Sequence, residues 1–325
     1  MNRFGDWVET LEGALSQVVS PGWERVVGTG LYKEGFWVIE EILCVCVVAW
    51  GCGRPAHPPV LSRVVGGKDV RPHSWPWQVS FQSGKYGHWS HSCGGTLISS
   101  QWVVTAAHCL LDGYSYRVQL GKHSLEEEED GSITLSVAKD IKHPKYHDHL
   151  SRNDIALLKL ERPVTFSDTI QPACLPPAGA VLPDGAPCFV TGWGRLTTMG
   201  PGAVILQQAL LPVVSFEICS QDDWWSFLLT RDMVCAGGDG VKGSCMGDSG
   251  GPLNCQGSDG SWEVHGVVSF GSGQGCNVVQ KPSVFTRVSA YNAWISSVSQ
   301  SFYIYYEQEL RKGCAGLKAI KQEST

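Results

Sequence analysis

The feature that most constrains the fold is a succession of short segments rich in β-branched and aromatic residues, separated at fairly regular intervals by turn-forming residues. Such segments are typical of strands, and closely spaced strands favour a β-sandwich or β-barrel over alternating strands and helices. The clearest are residues 77–81, 95–98, 102–105, 155–158, 188–191 and 264–270. Residues 289–299 alone show good helical spacing of apolar side chains, so we predict an all-β protein with one C-terminal helix.

Cysteine usage indicates the compartment. The chain of 325 residues has 13 cysteines, which are dispersed and not set in CxxC pairs. This pattern favours disulfides in an oxidising environment over zinc or redox motifs, and the odd count leaves at least one cysteine unpaired. A net charge of −6 without any basic run argues against nucleic-acid binding. We therefore expect a secreted, extracellular protein.

The two ends of the chain differ from its middle. Residues 1–51 form an atypical leader with several glutamates, in which the apolar stretch 42–51 resembles the end of a signal peptide. That stretch is too short to span a membrane, and a buried strand is the alternative interpretation. Residues 301–325 look like an appended tail, although a longer C-terminal helix would also fit the pattern. Residues 55–59 (Pro-Ala-His-Pro-Pro) predict an extended linker and a boundary.

Three segments contain the residue types needed for nucleophilic catalysis. His108 lies in Thr-Ala-Ala-His-Cys, Asp154 in Asn-Asp-Ile-Ala-Leu, and Ser249 in Gly-Asp-Ser-Gly-Gly-Pro. A serine hydroxyl is a weak nucleophile, so it needs a nearby base, and that base needs an orienting carboxylate. Each segment alone is weak evidence, because a glycine-rich turn with an incidental histidine and aspartate is common. All three in this order form a specific combination.

These segments resemble those of the chymotrypsin-like serine proteases, and the resemblance covers about residues 52–300. It implies two antiparallel Greek-key β-barrels with a C-terminal helix and an active site in the cleft between the barrels. His108 would act as general base and then general acid, Asp154 would orient it, and Ser249 would attack the substrate carbonyl. The backbone N–H groups of Gly247 and Ser249 would form the oxyanion hole.

The resemblance also implies synthesis as a zymogen. Arg63 precedes Val-Val-Gly-Gly, as at the activation site of this family, so residues 52–63 would be an activation peptide and residues 64–300 the catalytic domain. Cleavage after Arg63 would free the α-amino group of Val64. That ammonium would pair with Asp248, a carboxylate that needs a partner when buried. A solvated linker arginine is the simpler alternative for Arg63.

Substrate preference follows from the positions that line the specificity pocket in this family. The matching residues are small or uncharged, and they comprise Gly243, Ser244, Met246, Ser269, Phe270, Gly271 and Ser283. A trypsin-like enzyme would carry aspartate at position 243, so we do not expect cleavage after Lys or Arg. Room at Gly271 and Ser283 favours Leu, Met, Phe or Tyr. The subgroup that matches best is that of pancreatic elastase-2 and chymotrypsin C, from which Gly243 and Met246 depart.

The resemblance implies five disulfides. The pairs are Cys52–Cys174, Cys93–Cys109, Cys188–Cys255, Cys219–Cys235 and Cys245–Cys276. The first would keep the activation peptide attached after cleavage. Cys44, Cys46 and Cys314 are left over, and all three lie in the atypical leader or the tail.

We expect no cofactor and no bound metal. Residues 122–132 match a loop that binds calcium in some relatives, and they include four glutamates and an aspartate. However, Lys122 and Ser132 stand where calcium-binding relatives have carboxylates, so a solvated acidic loop is the favoured interpretation.

The expected partners are protein and peptide substrates, an activating trypsin-like protease and protein protease inhibitors, with no nucleic acid and no membrane. No feature indicates oligomers, so we expect a monomer. Two alternatives stay open: a non-catalytic binding homologue, and a defective product whose aberrant leader prevents secretion.

Overall fold

The computed structural model describes residues 51–61 and 67–299 of the chain. Regular structure in these residues consists mainly of 13 antiparallel strands. They are β1 (Lys68–Asp69), β2 (Gln78–Lys85), β3 (His88–Ser99), β4 (Trp102–Thr105), β5 (Ser115–Leu120), β6 (Ile133–Lys142), β7 (Ala156–Leu160), β8 (Pro187–Gly192), β9 (Gln207–Val214), β10 (Met233–Ala236), β11 (Pro252–Gln256), β12 (Trp262–Phe270) and β13 (Ser283–Arg287). All six segments predicted as strands overlap one of these, and the all-β class is confirmed.

Six strands form the first closed barrel, in the order β2-β3-β4-β7-β6-β5. Val79 and Phe81, two residues apart on β2, are fully buried, as the period of two in a strand requires. Leu97 and Leu157 join them from β3 and β7. Closure leaves no free strand edge in this barrel, because the first and last strands pair with each other.

The second barrel contains the strands β9-β10-β13-β12-β11-β8, and a β8–β9 pairing closes it, while the short β1 adds to β9. Leu211, Leu253 and Phe285 fill its interior. The structure therefore has two closed six-stranded barrels, as the chymotrypsin-like fold predicts.

Helices are few. The helix α1 (Phe216–Cys219) is a single turn, whose N-cap Ser215 accepts a hydrogen bond from the Ile218 N–H. The C-terminal helix α2 is described over residues 292–299. It starts three residues later than the predicted 289, because Val288–Ala290 form a 3-10 turn. No helix among residues 51–61 and 67–299 is both long and apolar enough to cross a membrane.

The structure contains disulfides in the same five pairs that the resemblance implies. Cys52–Cys174 attaches the segment 51–61 to the rest of the molecule, and the Gly53 N–H donates to the Pro172 carbonyl at 2.8 Å. The predicted leader up to residue 50, the activation site at residues 62–66 and the tail from residue 300 lie outside the described residues, and so do Cys44, Cys46 and Cys314.

Candidate active site

His108 and Asp154 are joined by two hydrogen bonds. The His108 ring nitrogen Nδ1 lies 2.7 Å from Asp154 Oδ2, and the His108 backbone N–H donates to Asp154 Oδ1 at 2.9 Å. His108 belongs to a 3-10 turn (Ala107–Cys109) that directly follows β4, and Cys109 is linked to Cys93 on β3. The Asp154 side chain is 1% exposed whereas that of His108 is 30% exposed. A proton on Nδ1 would satisfy the buried carboxylate and leave Nε2 free to accept another proton.

The second barrel also contacts Asp154. Ser269 Oγ donates to Asp154 Oδ2 at 2.6 Å, and Thr286 Oγ1 donates to the Asp154 backbone carbonyl at 2.7 Å. Ser269 lies at a β-bulge in β12, where the pairing with β13 shifts between Val268 and Phe270. Bulges redirect side chains and are frequent beside active sites.

Ser249 lies where the two barrels meet. Its carbonyl accepts a hydrogen bond from the Gly94 N–H on β3 at 2.7 Å, and the next residue, Gly250, donates to the Val268 carbonyl on β12 at 2.8 Å. A Cβ on Gly250 would lie 2.2 Å from Thr105 Oγ1, so the chain passes close to the end of β4, which precedes His108. Within the described residues, Ser249 Oγ makes no hydrogen bond to His108. Catalytic hydrogen bonds often tighten only when substrate binds.

The turn before Ser249 requires glycine. Gly247 has φ +102°, and a Cβ on it would lie 3.0 Å from the Cα of Gly194. The Asp248 N–H donates to the Cys245 carbonyl at 3.0 Å, whereas the N–H groups of Gly247 and Ser249 have no acceptor in the described part of the chain. Two unsatisfied donors beside Ser249 are available to an anionic ligand.

Asp248 is partly buried and has no ion pair with any described residue. Its Oδ1 accepts the Gly194 N–H at 2.9 Å and its Oδ2 accepts the Cys245 N–H at 2.8 Å. Burial raises the pKa of this carboxyl to about 6, although the two hydrogen bonds oppose the shift. A buried carboxylate with donors but no cation gains from any cation that can reach it.

A cavity of about 500 Å³ lies next to Asp248. Gly67, the first described residue after the gap at 62–66, lines it together with Gly192, Gly194 and Gly243. The predicted activation residues Arg63 and Val64 fall inside that gap, so their positions are outside the described residues. The cavity nevertheless has both Gly67 and the Asp248 carboxylate in its lining.

A second cavity, of about 260 Å³, lies beside Ser249. Ser244, Met246, Ser269, Phe270 and Gly271 line it, and no charged side chain does so among the described residues. A Cβ on Gly271 would have no neighbour within 4 Å, so the space over this residue is open. Met246 lies at the rim with 63% of its surface exposed.

Two residues predicted to line the pocket lie elsewhere in this conformation. Gly243 borders the cavity at Asp248, and a Cβ on it would lie 1.9 Å from the Cys276 carbonyl oxygen. Ser283 is buried, and its Oγ accepts the Ser244 N–H at 2.8 Å and the Ser244 hydroxyl at 2.9 Å. Ser283 therefore supports Ser244, which lines the cavity beside Ser249, while Gly243 borders the cavity at Asp248.

The acidic loop 122–132 is organised around a lysine. The Lys122 ammonium donates to the Glu127 carbonyl and lies 3.6 Å from Glu129 Oε2. Glu129 accepts two further hydrogen bonds, from the N–H groups of His123 at 2.7 Å and Ser124 at 3.0 Å. A cationic side chain thus already neutralises the innermost carboxylate, while Glu126–Glu128 are exposed to solvent.

Sequence reasoning missed three residues that support this site. His91 Nε2 donates to the Gly247 carbonyl at 3.1 Å and its Nδ1 contacts Ser80 Oγ at 2.9 Å. Trp225 packs edge-on against Phe270, with ring centroids 5.2 Å apart. Thr286 holds the Asp154 carbonyl. His91 is a histidine near Cys93, which could have drawn attention, but Trp225 and Thr286 look like ordinary core residues in the sequence.

Comparison with known proteins agrees with this geometry. The family model described as Trypsin matches residues 64–295. Chymotrypsin-C from Rattus norvegicus is 55% identical over 264 residues, which cover 81% of this chain and 98% of the relative. Proproteinase E from Bos taurus is 52% identical over 74% of this chain and 96% of its own length. Chymotrypsin-like elastase family member 3B from Macaca mulatta is 50% identical over 78% of this chain and 100% of its own length.

The predicted resemblance to chymotrypsin-like proteases of the chymotrypsin C and elastase subgroup is thereby confirmed. Together with the barrels and the contacts of His108, Asp154 and Ser249, these matches identify the chain as a member of the trypsin family of serine endopeptidases.

Proposed function

We propose that this chain is the zymogen of a secreted endopeptidase that, once cleaved after Arg63, hydrolyses peptide bonds following Leu, Met, Phe or Tyr. The observation that carries the proposal is the uncharged cavity beside Ser249, next to the hydrogen-bonded pair of His108 and Asp154. The catalytic residues are His108, Asp154 and Ser249.

In the first half of the reaction, Ser249 Oγ attacks the substrate carbonyl carbon and passes its proton to His108 Nε2. Asp154, bonded to Nδ1 at 2.7 Å, stabilises the imidazolium that forms. The peptide C–N bond then breaks, the leaving amine takes the proton from His108, and an acyl-enzyme remains. Water, deprotonated by His108, releases the acid and restores Ser249.

The negative charge of each tetrahedral intermediate develops on the former carbonyl oxygen. The N–H groups of Gly247 and Ser249 are without protein acceptors in the described residues, which supports their role as the oxyanion hole. Gly247 has φ +102°, a conformation that costs little for glycine because glycine lacks a side chain.

Activation connects Arg63 with Asp248. Val64 precedes Gly67 by three residues, a span of about 10 Å when extended. Gly67 and Asp248 border the same cavity, which supports an approach of the new α-ammonium of Val64 to the carboxylate. The pair would satisfy the buried charge and fix the turn at Gly247, so that peptidase activity depends on cleavage. The name of the related Proproteinase E likewise denotes a precursor.

The cavity beside Ser249 supports selection for apolar side chains. None of its described lining residues offers a counter-ion, so the ammonium of Lys or the guanidinium of Arg would lose its hydration without compensation. The open space over Gly271 accommodates aromatic rings, and Phe270, backed by Trp225, provides an apolar wall.

The remaining elements of the proposal concern partners and location. Disulfides support an extracellular protein, and an Arg63 site supports a trypsin-like activator. Protein protease inhibitors would occupy the substrate cleft. The enzyme would act as a monomer and would bind neither nucleic acid nor a membrane. It would also need no metal, since the Lys122 ammonium already neutralises Glu129 in the acidic loop.

A phosphonylating active-site probe tests the proposal. Trypsin-treated protein should react with the probe and should cleave peptide libraries after Leu, Met, Phe or Tyr, whereas Ser249→Ala should do neither. The variant Arg63→Gln should stay unreactive after the same treatment. No labelling of cleaved, fully oxidised wild-type protein would favour a non-catalytic binding role, and full labelling of Arg63→Gln would overturn the activation site.

A further inference from the structure

We infer that Thr286, a threonine of the second barrel, is a positioning residue that holds Asp154 in place for His108. The inference rests on the proposed function, because it presupposes that Asp154 orients the histidine. Thr286 Oγ1 donates to the Asp154 backbone carbonyl at 2.7 Å, and Thr286 is only 2% exposed.

Asp154 approaches its site from a short loop, not from within a strand. It precedes β7 by two residues, and Asn153 before it has φ +52°, a conformation that non-glycine residues adopt at a cost. Contacts from outside the loop must therefore hold it in this conformation. The Asp154 carbonyl receives its hydrogen bond from Thr286, and Tyr291 Oη lies 3.1 Å from Asn153 Oδ1.

Both Thr286 and Tyr291 belong to the second barrel and the segment that follows it. The single hydroxyl proton of Tyr291 goes to the closer acceptor, Asp232 Oδ2 at 2.7 Å, so Tyr291 contacts Asn153 without donating a second hydrogen bond to it. The second barrel thus donates hydrogen bonds to both parts of Asp154, from Thr286 to the backbone carbonyl and from Ser269 Oγ to the carboxylate. His108 and the segment that leads from Asp154 into β7 both belong to the first barrel, where Thr105 pairs with Ala156.

Thr286 therefore supplies, from outside the first barrel, the donor that the buried Asp154 carbonyl needs. Without its hydroxyl, the Asp154 carbonyl would be buried without its donor and would move toward another one. A displacement of about 1 Å at a catalytic group can reduce turnover by about two orders of magnitude.

The test compares Thr286→Val, which keeps the shape and loses the hydroxyl, with Thr286→Ser, which keeps the hydroxyl. Ser289→Ala is the matched control, because Ser289 Oγ also donates from a buried position to a backbone carbonyl, that of Ala180 at 2.6 Å. Activated enzymes are compared per titrated active site. The readouts are kcat, KM and the low-field proton resonance of the His108–Asp154 hydrogen bond.

We expect Thr286→Val to lower kcat roughly tenfold or more with little change in KM, and to shift or broaden the low-field resonance. Thr286→Ser and Ser289→Ala should stay close to wild type in all three. A wild-type kcat or an unmoved resonance in Thr286→Val would overturn the inference, as would an equal loss in Ser289→Ala. Should Thr286→Val not fold, Thr286→Ala is judged by the same criteria. Activity in Ser249→Ala would instead overturn the proposed function itself.

Discussion

The Asp248 carboxylate accepts the Gly194 backbone N–H at 2.9 Å, and no described residue provides it with a cation. Burial raises its pKa from the ordinary 3.8 to about 6. Between these two values the folded, uncleaved protein binds more protons than the unfolded chain, so this group makes folding less favourable as pH rises through that window. We predict a loss on the order of 2 to 3 kcal/mol in the free energy of unfolding between pH 4 and pH 7.

Urea unfolding of the uncleaved protein across this range, compared with Asp248→Asn, measures the effect. The asparagine variant cannot ionise, so its stability should lack this component of the pH dependence. After cleavage at Arg63, the wild-type protein should no longer lose stability between pH 4 and pH 7, because the Val64 ammonium favours the charged carboxylate. Identical pH profiles for the two uncleaved proteins would contradict the prediction.

The space around Gly243 is filled by neighbouring atoms, whereas the space around Gly271 is empty. Substitution by alanine should therefore be tolerated at Gly271 and not at Gly243. A Cβ at Gly243 would overlap the Cys276 carbonyl oxygen at 1.9 Å, and Cys276 is fixed by its disulfide to Cys245. Gly243→Ala should therefore lower the free energy of unfolding by about 1 to 3 kcal/mol. Gly271→Ala meets no atom within 4 Å and should stay within about 0.5 kcal/mol of wild type. Chemical denaturation of both variants checks this, and equal stabilities would refute it.

The opening over Gly271 should also determine substrate size. Gly271→Val fills space beside Phe270 in the cavity next to Ser249. We expect the variant to lose kcat/KM for substrates with Phe or Tyr before the cleaved bond by about 10-fold or more, and to retain activity toward Ala or Val. Steady-state kinetics on a matched series of peptide substrates measures this ratio. A parallel loss for all side chains would mean that the cavity is not the specificity pocket.

Much of the fold could be predicted because its determinants are local. Residues 102–105 and 188–191, for example, are short runs rich in β-branched and aromatic residues, and they occur as the buried strands β4 and β8. The segments around His108, Asp154 and Ser249 were identified by resemblance, and the structure brings the first two within 2.7 Å. Helix α2 begins later than predicted, since the 3-10 turn before it shares the same apolar spacing.

The details that could not be predicted depend on pairing between distant strands. The orientation of Ser269 follows from a bulge against β13, and no pattern within β12 encodes that register shift. Ser283 points to Ser244 and not into the cavity, because of contacts between segments 39 residues apart. Thr286 resembles any β-branched strand residue until β13 is placed beside Asp154.

The Cys52–Cys174 disulfide predicts that the activation peptide stays attached after cleavage. The Gly53 carbonyl also accepts the Trp262 N–H at 2.8 Å, and φ +66° at Gly53 suits only a glycine there, since a Cβ would lie 2.2 Å from the Trp262 carbonyl oxygen. Trypsin-treated protein should therefore run as one species without reductant and as two with reductant. The double variant Cys52→Ser, Cys174→Ser should release the peptide ending at Arg63 under native conditions, as detected by mass spectrometry. One species after reduction would mean that cleavage does not occur at this site.

Lys122 predicts that the acidic loop is independent of calcium. Its ammonium lies 3.6 Å from Glu129 Oε2, and both side chains are largely buried. Wild-type protein should unfold at the same temperature in calcium chloride and in EDTA. Lys122→Gln removes the charge and leaves Glu129 buried without a cation, so it should lose about 3 kcal/mol or more of stability. Calcium should not restore this stability, because glutamine adds no anionic oxygen.

The matched control is Lys145→Gln. No ion pair or side-chain hydrogen bond of Lys145 occurs in the described residues, so this substitution should cost less than about 0.5 kcal/mol. A rise in the wild-type unfolding temperature on adding calcium would show that the ion binds in spite of the lysine.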